Sequence, residues 1–101
     1  MTLHLTLKKK WFDMIASGDK KEEYREDKKH WRNRLVIPGT HPLICKKYDT
    51  VIFRNGYSKE SPTIELEVKY IGINFGKPEW GGDPNNLQFV IKLGKIISQT
   101  P

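Results

Sequence analysis

Leucines alternate with polar residues at the start of the chain, Leu3, Leu5 and Leu7 against Thr2, His4 and Thr6. Alternate residues of an extended chain share a face, so this predicts a half-buried strand from Leu3 to Leu7, with His4 turned away from the leucines. The period then changes. From Lys8 to Ser17 the apolar positions Trp11, Met14 and Ile15 recur at three and four, which is one stripe of a helix with Phe12 at its margin. Gly18 is placed to stop that helix, because glycine accepts the left-handed conformation that commonly ends one. A short strand is predicted next, with Lys21, Glu23 and Arg25 pointing one way and Glu22 and Tyr24 the other. Lys20 is out of phase with Glu23 and reaches the same side only from the turn, or through a bulge.

The remaining pattern supplies a second helix and three further strands. Asp27 is expected to cap a short helix in which Trp31, Leu35 and His30 face inward while Lys28, Lys29, Arg32 and Arg34 stay in solvent; Pro38 and Gly39 end it. Gly39 to Tyr48 reads as an ordered loop. Thr50 to Arg54 is β-rich and closed by the turn signal Asn55-Gly56, and the polar run Tyr57 to Pro62 predicts an extended hairpin loop rather than a tight turn. Thr63 to Ile73 alternates Ile64, Leu66, Val68 and Tyr70 against Glu65, Glu67 and Lys69, the clearest strand in the chain. Asn74 to Asn86, rich in glycine and proline, is expected as a long loop over one end of the sheet. Leu87 to Ile97 is the last strand, with Phe89 and Ile91 on one face and Val90 on the other, and the final residues are expected to fray. Five or six short strands with two helices predict an α+β fold, either a small closed or nearly closed mixed barrel or an open sheet.

A chain of 101 residues is one domain, which buries roughly 60 to 70 % of its unfolded surface. No apolar run is long enough for a membrane span, and the N-terminus lacks the apolar core of a signal peptide, so a cytoplasmic protein with no membrane partner is expected. Cys45 is the single cysteine, which rules out an intramolecular disulfide and a four-cysteine zinc site. His41 lies four residues before it, but Pro42 argues against a shared helix face and two ligands are too few for structural zinc. No metal is expected. The net charge of +6 is uneven: residues 1 to 50 hold 12 Lys and Arg against 7 Asp and Glu, and residues 51 to 101 hold 6 against 5. A basic first half suits a polyanion partner, since clustered lysines and arginines hold phosphates.

Gly18, Lys20, Glu23 and Arg25 read G-x-K-x-x-E-x-R and follow the helix that ends at Ser17. This resembles the signature of the ASCH domain, a branch of the PUA-like β-barrels, and Leu3–Leu7, Asp49–Phe53 and Phe89–Ile96 are similar to its opening, middle and closing strands. The resemblance implies a small PUA-like barrel of five or six mostly antiparallel strands with two short helices. It also implies RNA or a modified nucleotide bound in a cleft beside the motif. Some members are amidohydrolases acting on acetylated cytidine nucleosides. These match at Lys20 and Arg25 but carry threonine where Glu23 stands, and that departure favours binding over hydrolysis here.

Three readings follow. A binding module would use Lys20, Glu23 and Arg25 at the cleft, with Asn55, Tyr57 and Trp80 converging on it and Lys8 and Lys9 on phosphates near the helix start. An enzyme, an amidohydrolase or a weak ribonuclease, would use Lys20 as base with Glu23 orienting it, since a lysine beside Arg25 finds its own charge less favourable. A protein-interaction domain would carry its lysines only as a solvated surface. Trp11 and Trp31 lie on helix stripes and are expected in the core. Trp80 has no stripe to explain it and is the expected platform for an unpaired base. No phosphate-binding glycine loop, metal-ligand cluster or serine nucleophile motif is present, and no cofactor is implied.

Overall fold

The computed structural model describes residues 1–100. The order along the chain is β1 (Thr2–Leu7), α1 (Lys9–Ala16), β2 (Glu22–Arg25), α2 (Lys29–Leu35), β3 (Thr50–Asn55), β4 (Thr63–Phe75), a 3₁₀ turn at Pro78–Trp80, and β5 (Leu87–Gln99). The five strands form one curled mixed sheet in the order β1-β3-β4-β5-β2. Only β1 and β3 run parallel; the other neighbours are antiparallel. This is an α+β half-barrel with two helices, not a closed one, because β1 and β2 are the two ends of the sheet and no ladder joins them. No helix among the described residues is long and apolar enough to cross a membrane.

The curl originates in β4, where the register with β5 shifts three times between Glu65 and Tyr70, and such bulges increase local twist and bend the strand. The concave side then collects Leu3, Leu5 and Leu7 from β1, Val51 and Phe53 from β3, Ile64 and Leu66 from β4, and Phe89, Ile91 and Leu93 from β5, with Phe12, Ile15 and Leu35 from the helices. In β1 the alternation sorts residues as read from the sequence, and His4 does face away from the leucines. In β4 it holds only as far as Val68, because the register shifts change the phase, leaving Tyr70, read with Ile64 and Leu66, half exposed while Ile71 packs against the core. In α1 the emphasis is reversed. Phe12 is buried with Ile15, while Trp11 and Met14 are only partly covered.

Three boundaries differ from expectation. Asp27 does not cap α2; the extended residue before the helix is Lys28 (φ −125°, ψ 159°), one position later. Asp27 instead accepts two hydrogen bonds from Arg32, which hold its carboxyl below the usual carboxylate range. The segment read as a loop from Asn74 begins two residues later, since Asn74 and Phe75 still pair with Gln88 and Leu87. The last strand extends past Ile97: β5 runs to Gln99, and Thr100 bonds to Thr63 through both its amide and its hydroxyl, while Pro101, also among the residues expected to fray, lies outside the described residues. Neighbours there supply partners that a reading of local sequence cannot see.

Candidate functional site

Where β1 and β2 fail to pair, a cleft of about 1010 Å³ opens, lined from β1, β2, both helices, the β3–β4 turn and the Trp80–Gly81 segment. Its floor is Glu23, only 4 % exposed. Directly opposed residues of an antiparallel pair share a face, so Glu23 and Arg25, opposite Ile91 and Phe89, point to the concave side, while Tyr24 opposite Val90 points to the convex side. The two-residue spacing of Glu23 and Arg25 therefore puts both at the mouth of the half-barrel. Arg25 Nη1 donates to Glu23 Oε2 and to the Tyr24 carbonyl, and Nη2 donates to the Thr6 carbonyl at 3.1 Å. A side chain thus spans the gap that no ladder closes. Arg25 Nε is buried without a partner.

Lys20 reaches Glu23 from the turn, one of the two routes its phase allowed. Gly18 takes φ +87°, and the turn is held by Gly18 N–H donating to the Ile15 carbonyl and Lys20 N–H to that of Met14. Lys20 Nζ lies 3.2 Å from Glu23 Oε1, donates to the Trp80 carbonyl, and sits 5.0 Å from the ring centres of both Trp11 and Tyr24. Its side chain is wholly buried. Burial is the main cause that lowers its pKa; Glu23 opposes the shift, and Arg25, the cause expected from sequence, contributes less. Lys20 does not line the cleft. It lies behind Glu23.

The loop after β4 is fastened to that same turn. Trp80 Nε1 donates to the Asp19 carbonyl at 2.7 Å while the Trp80 carbonyl accepts from Lys20, a reciprocal clasp between residues 60 positions apart in sequence. Gly81 ends the 3₁₀ turn at φ +85°, and a Cβ there would stand 2.8 Å from Trp11 Cζ2, so both the backbone and the packing require glycine. The Tyr24 hydroxyl accepts the Lys77 amide at 3.1 Å and donates to Glu22 Oε1 at 2.8 Å. Desolvation pushes the Tyr24 pKa well up. On the far side of the loop, Gln88 brackets Asp83 by accepting its amide hydrogen bond and donating to its carbonyl.

Asn55, Tyr57, Trp80 and Lys8 all line the cleft beside Glu23 and Arg25. Tyr57 stands at the rim, 93 % exposed. One ring face of Trp80, the expected base platform, has the Lys77 ammonium 4.5 Å from its centre. Lys9 is not at the cleft: its ammonium pairs with Asp13 one helical turn on, at 2.5 Å, and that pairing faces solvent. Trp11, expected in the core, is a cleft wall instead, and Trp31 both packs against the core and walls the cleft. Arg34, expected in solvent, is half-buried in the same wall, donating from Nη2 to the His4 carbonyl at 2.8 Å and lying 5.3 Å from the Trp31 ring centre. Arg25 lies 5.1 Å from that ring. His30 is exposed rather than inward and meets Trp31 edge to face. The signal for these residues was present in the helix stripe, which marks a face of α2 but not whether that face meets a core or a cleft.

Cys45 is partly covered against the core and burial raises its thiol pKa, a poor setting for a nucleophile. No group of three His, Cys, Asp or Glu among the described residues is placed to hold a metal ion. No protein-family model matches this chain, and neither does any curated protein or solved structure.

Proposed function

We propose that the cleft binds a base of unpaired RNA, or of a modified nucleotide, in the manner of an ASCH-type PUA-like module. The observation that carries this reading is a nearly buried carboxylate, Glu23, set between two cations at the floor of a cleft walled by Trp11, Trp31 and Trp80. Aromatic walls take the π-face of any base, worth about 1 to 3 kcal/mol for each base stacked. Glu23 reads the edge. A carboxylate has about four acceptor sites, and Lys20 and Arg25 occupy one oxygen each, so acceptor capacity remains for ring or exocyclic N–H groups. The basic first half of the chain supplies the long-range attraction to phosphate.

The position of Lys20 weighs against hydrolysis. A general base must lie within hydrogen-bond reach of the proton it takes, and Lys20 Nζ is sealed behind Glu23 with its donors on Glu23 and the Trp80 carbonyl. Its role in this reading is to hold Glu23.

The test is titration of the intrinsic tryptophan fluorescence with a short unpaired oligoribonucleotide and with nucleoside 5′-monophosphates across a salt series. Saturable binding is expected, its logarithmic affinity falling with log salt by roughly 0.7 per phosphate neutralised. Absence of binding even at low salt refutes the reading. Release of acetate from acetylated cytidine, abolished by Lys20→Ala in a protein that still folds, would replace it with the hydrolase.

A further inference from the structure

We infer that Arg34 forms a phosphate subsite beside Glu23, with Lys8 a separate cation on the other side of the base, so that the preferred ligand is a nucleotide carrying phosphate rather than a bare nucleoside. The inference rests on the nucleotide reading and names the part of the ligand that the α2 wall would take.

Charge pairing at the cleft is uneven. Lys20 and Arg25 share the single carboxylate of Glu23, and Glu26, which also lines the cleft, pairs with Lys28 at 3.0 Å. Among the described residues no Asp or Glu pairs with Arg34 or Lys8, although both line the cleft. An unpaired cation on a concave surface attracts an anion more strongly than one on an open face, because the low-dielectric walls focus its field.

Arg34 is also held in place before any ligand arrives. Its backbone carbonyl accepts the Tyr48 hydroxyl at 2.7 Å, its guanidinium lies against Trp31, and one Nη2 hydrogen is committed to the His4 carbonyl. A guanidinium has five N–H donors, so most of the fork stays free for the bidentate geometry that suits phosphate. Little side-chain entropy is left to lose on binding.

The strand beneath sets the spacing. Arg34 is anchored at the carbonyl of His4 and Arg25 at that of Thr6, two residues apart and hence roughly 7 Å along β1. Lys8 follows two residues further on. A base seated at Glu23 and Arg25 thus has an unpaired cation to either side along the strand, at about the reach of a ribose from its base to its phosphate.

The test compares nucleosides with their 5′-monophosphates by calorimetry at low salt. A charge-assisted hydrogen bond contributes enough that the monophosphate should bind at least about tenfold tighter than its own nucleoside, a ratio that shrinks as salt rises. Arg34→Gln should bring that ratio to within about twofold, and Arg34→Lys should keep part of it. Because Arg34→Gln also removes the contact with the His4 carbonyl, its thermal melt is recorded alongside, and Lys8→Ala, at an exposed position on the other side of the base, should weaken a trinucleotide, which reaches both sides, more than the monophosphate. A trinucleotide with internal phosphodiesters only tells the sources apart: tighter than the monophosphate, it assigns the phosphate to an RNA chain, and weaker, to a free nucleotide. Equal binding of nucleoside and monophosphate by the parent protein, or a ratio unmoved in a folded Arg34→Gln, overturns the subsite and leaves the base reading standing. If no probe binds at all, the nucleotide reading falls and takes the subsite with it.

Discussion

The cleft has two walls made of the same parts, a tryptophan with cations against its ring, and they differ in what the cations are still able to do. On one wall Lys20 lies against Trp11, closed over by the Trp80 carbonyl and fully out of solvent. On the other, Arg25 and Arg34 lie against Trp31, with the Arg25 side chain 16 % exposed and Arg34 lacking any carboxylate among the described residues. At the first wall Lys20 is spent on structure, whereas at the second Arg34 is presented to the cleft. The same pairing of residue types therefore does not report a role; the supply of nearby acceptors does.

The largest effect should come from the sealed wall. Lys20→Ala leaves Glu23 with Arg25 alone, leaves the Trp80 carbonyl unpaired and opens a cavity, so chemical denaturation should show a loss of about 3 to 5 kcal/mol. A loss no greater than that of an ordinary surface substitution would show that the two walls do not differ. Next is Gly81→Ala, which imposes a left-handed backbone on a residue with a Cβ and drives that Cβ into Trp11. About 1 to 3 kcal/mol is expected from the same measurement, together with a shifted tryptophan emission.

A smaller effect is a slope in pH. Lys20 binds its proton less tightly folded than unfolded, so from its lowered pKa up to the ordinary lysine value the unfolded chain holds a proton that the native chain has released. Stability should rise with pH through that window and be lost as pH falls back through the folded value. Tyr24, whose pKa is raised, acts in the opposite direction above the ordinary tyrosine value. Comparing the parent with Lys20→Met as pH rises toward the ordinary lysine value of 10.5 isolates the lysine: the parent should gain stability relative to the variant, and parallel curves would show that Lys20 keeps its proton as it does unfolded. The least effect belongs to the rim, where Tyr57→Ala should change stability by no more than about 0.5 kcal/mol, measured in the same denaturation series.

Much of the fold was legible because it is written in a period of two. The alternation of Leu3, Leu5 and Leu7 and of Ile64 and Leu66 specifies which face is buried whatever the partner strand, and the structure buries those faces. The proximity of Glu23 and Arg25 followed from the same rule. What was not legible lay on the helices and at long range. A helical stripe identifies a face, yet Trp11 and Trp31 front the cleft because the sheet ends at β1 and β2, and that ending depends on strand order, which local pattern does not encode. Arg34 was read as solvated for the same reason. Its acceptor is the His4 carbonyl, 30 residues away, and a backbone carbonyl leaves no mark in a sequence. The burial of Lys20 needed the Trp80 carbonyl from the far end of the chain.

The reach of Arg25 and Arg34 to Thr6 and His4 has a further consequence for the life of the protein among other chains. A terminal strand of a sheet offers unpaired carbonyls on which a foreign strand can dock and begin to aggregate, and natural proteins blunt such borders with charge or cover. β2, at the other border, is only four residues long. β1 is longer and carries no charged residue, but two of its successive outward carbonyls are taken by guanidinium groups that a docking strand would have to displace. The residues that shape the cleft thus also guard this border of the sheet against templated strand pairing.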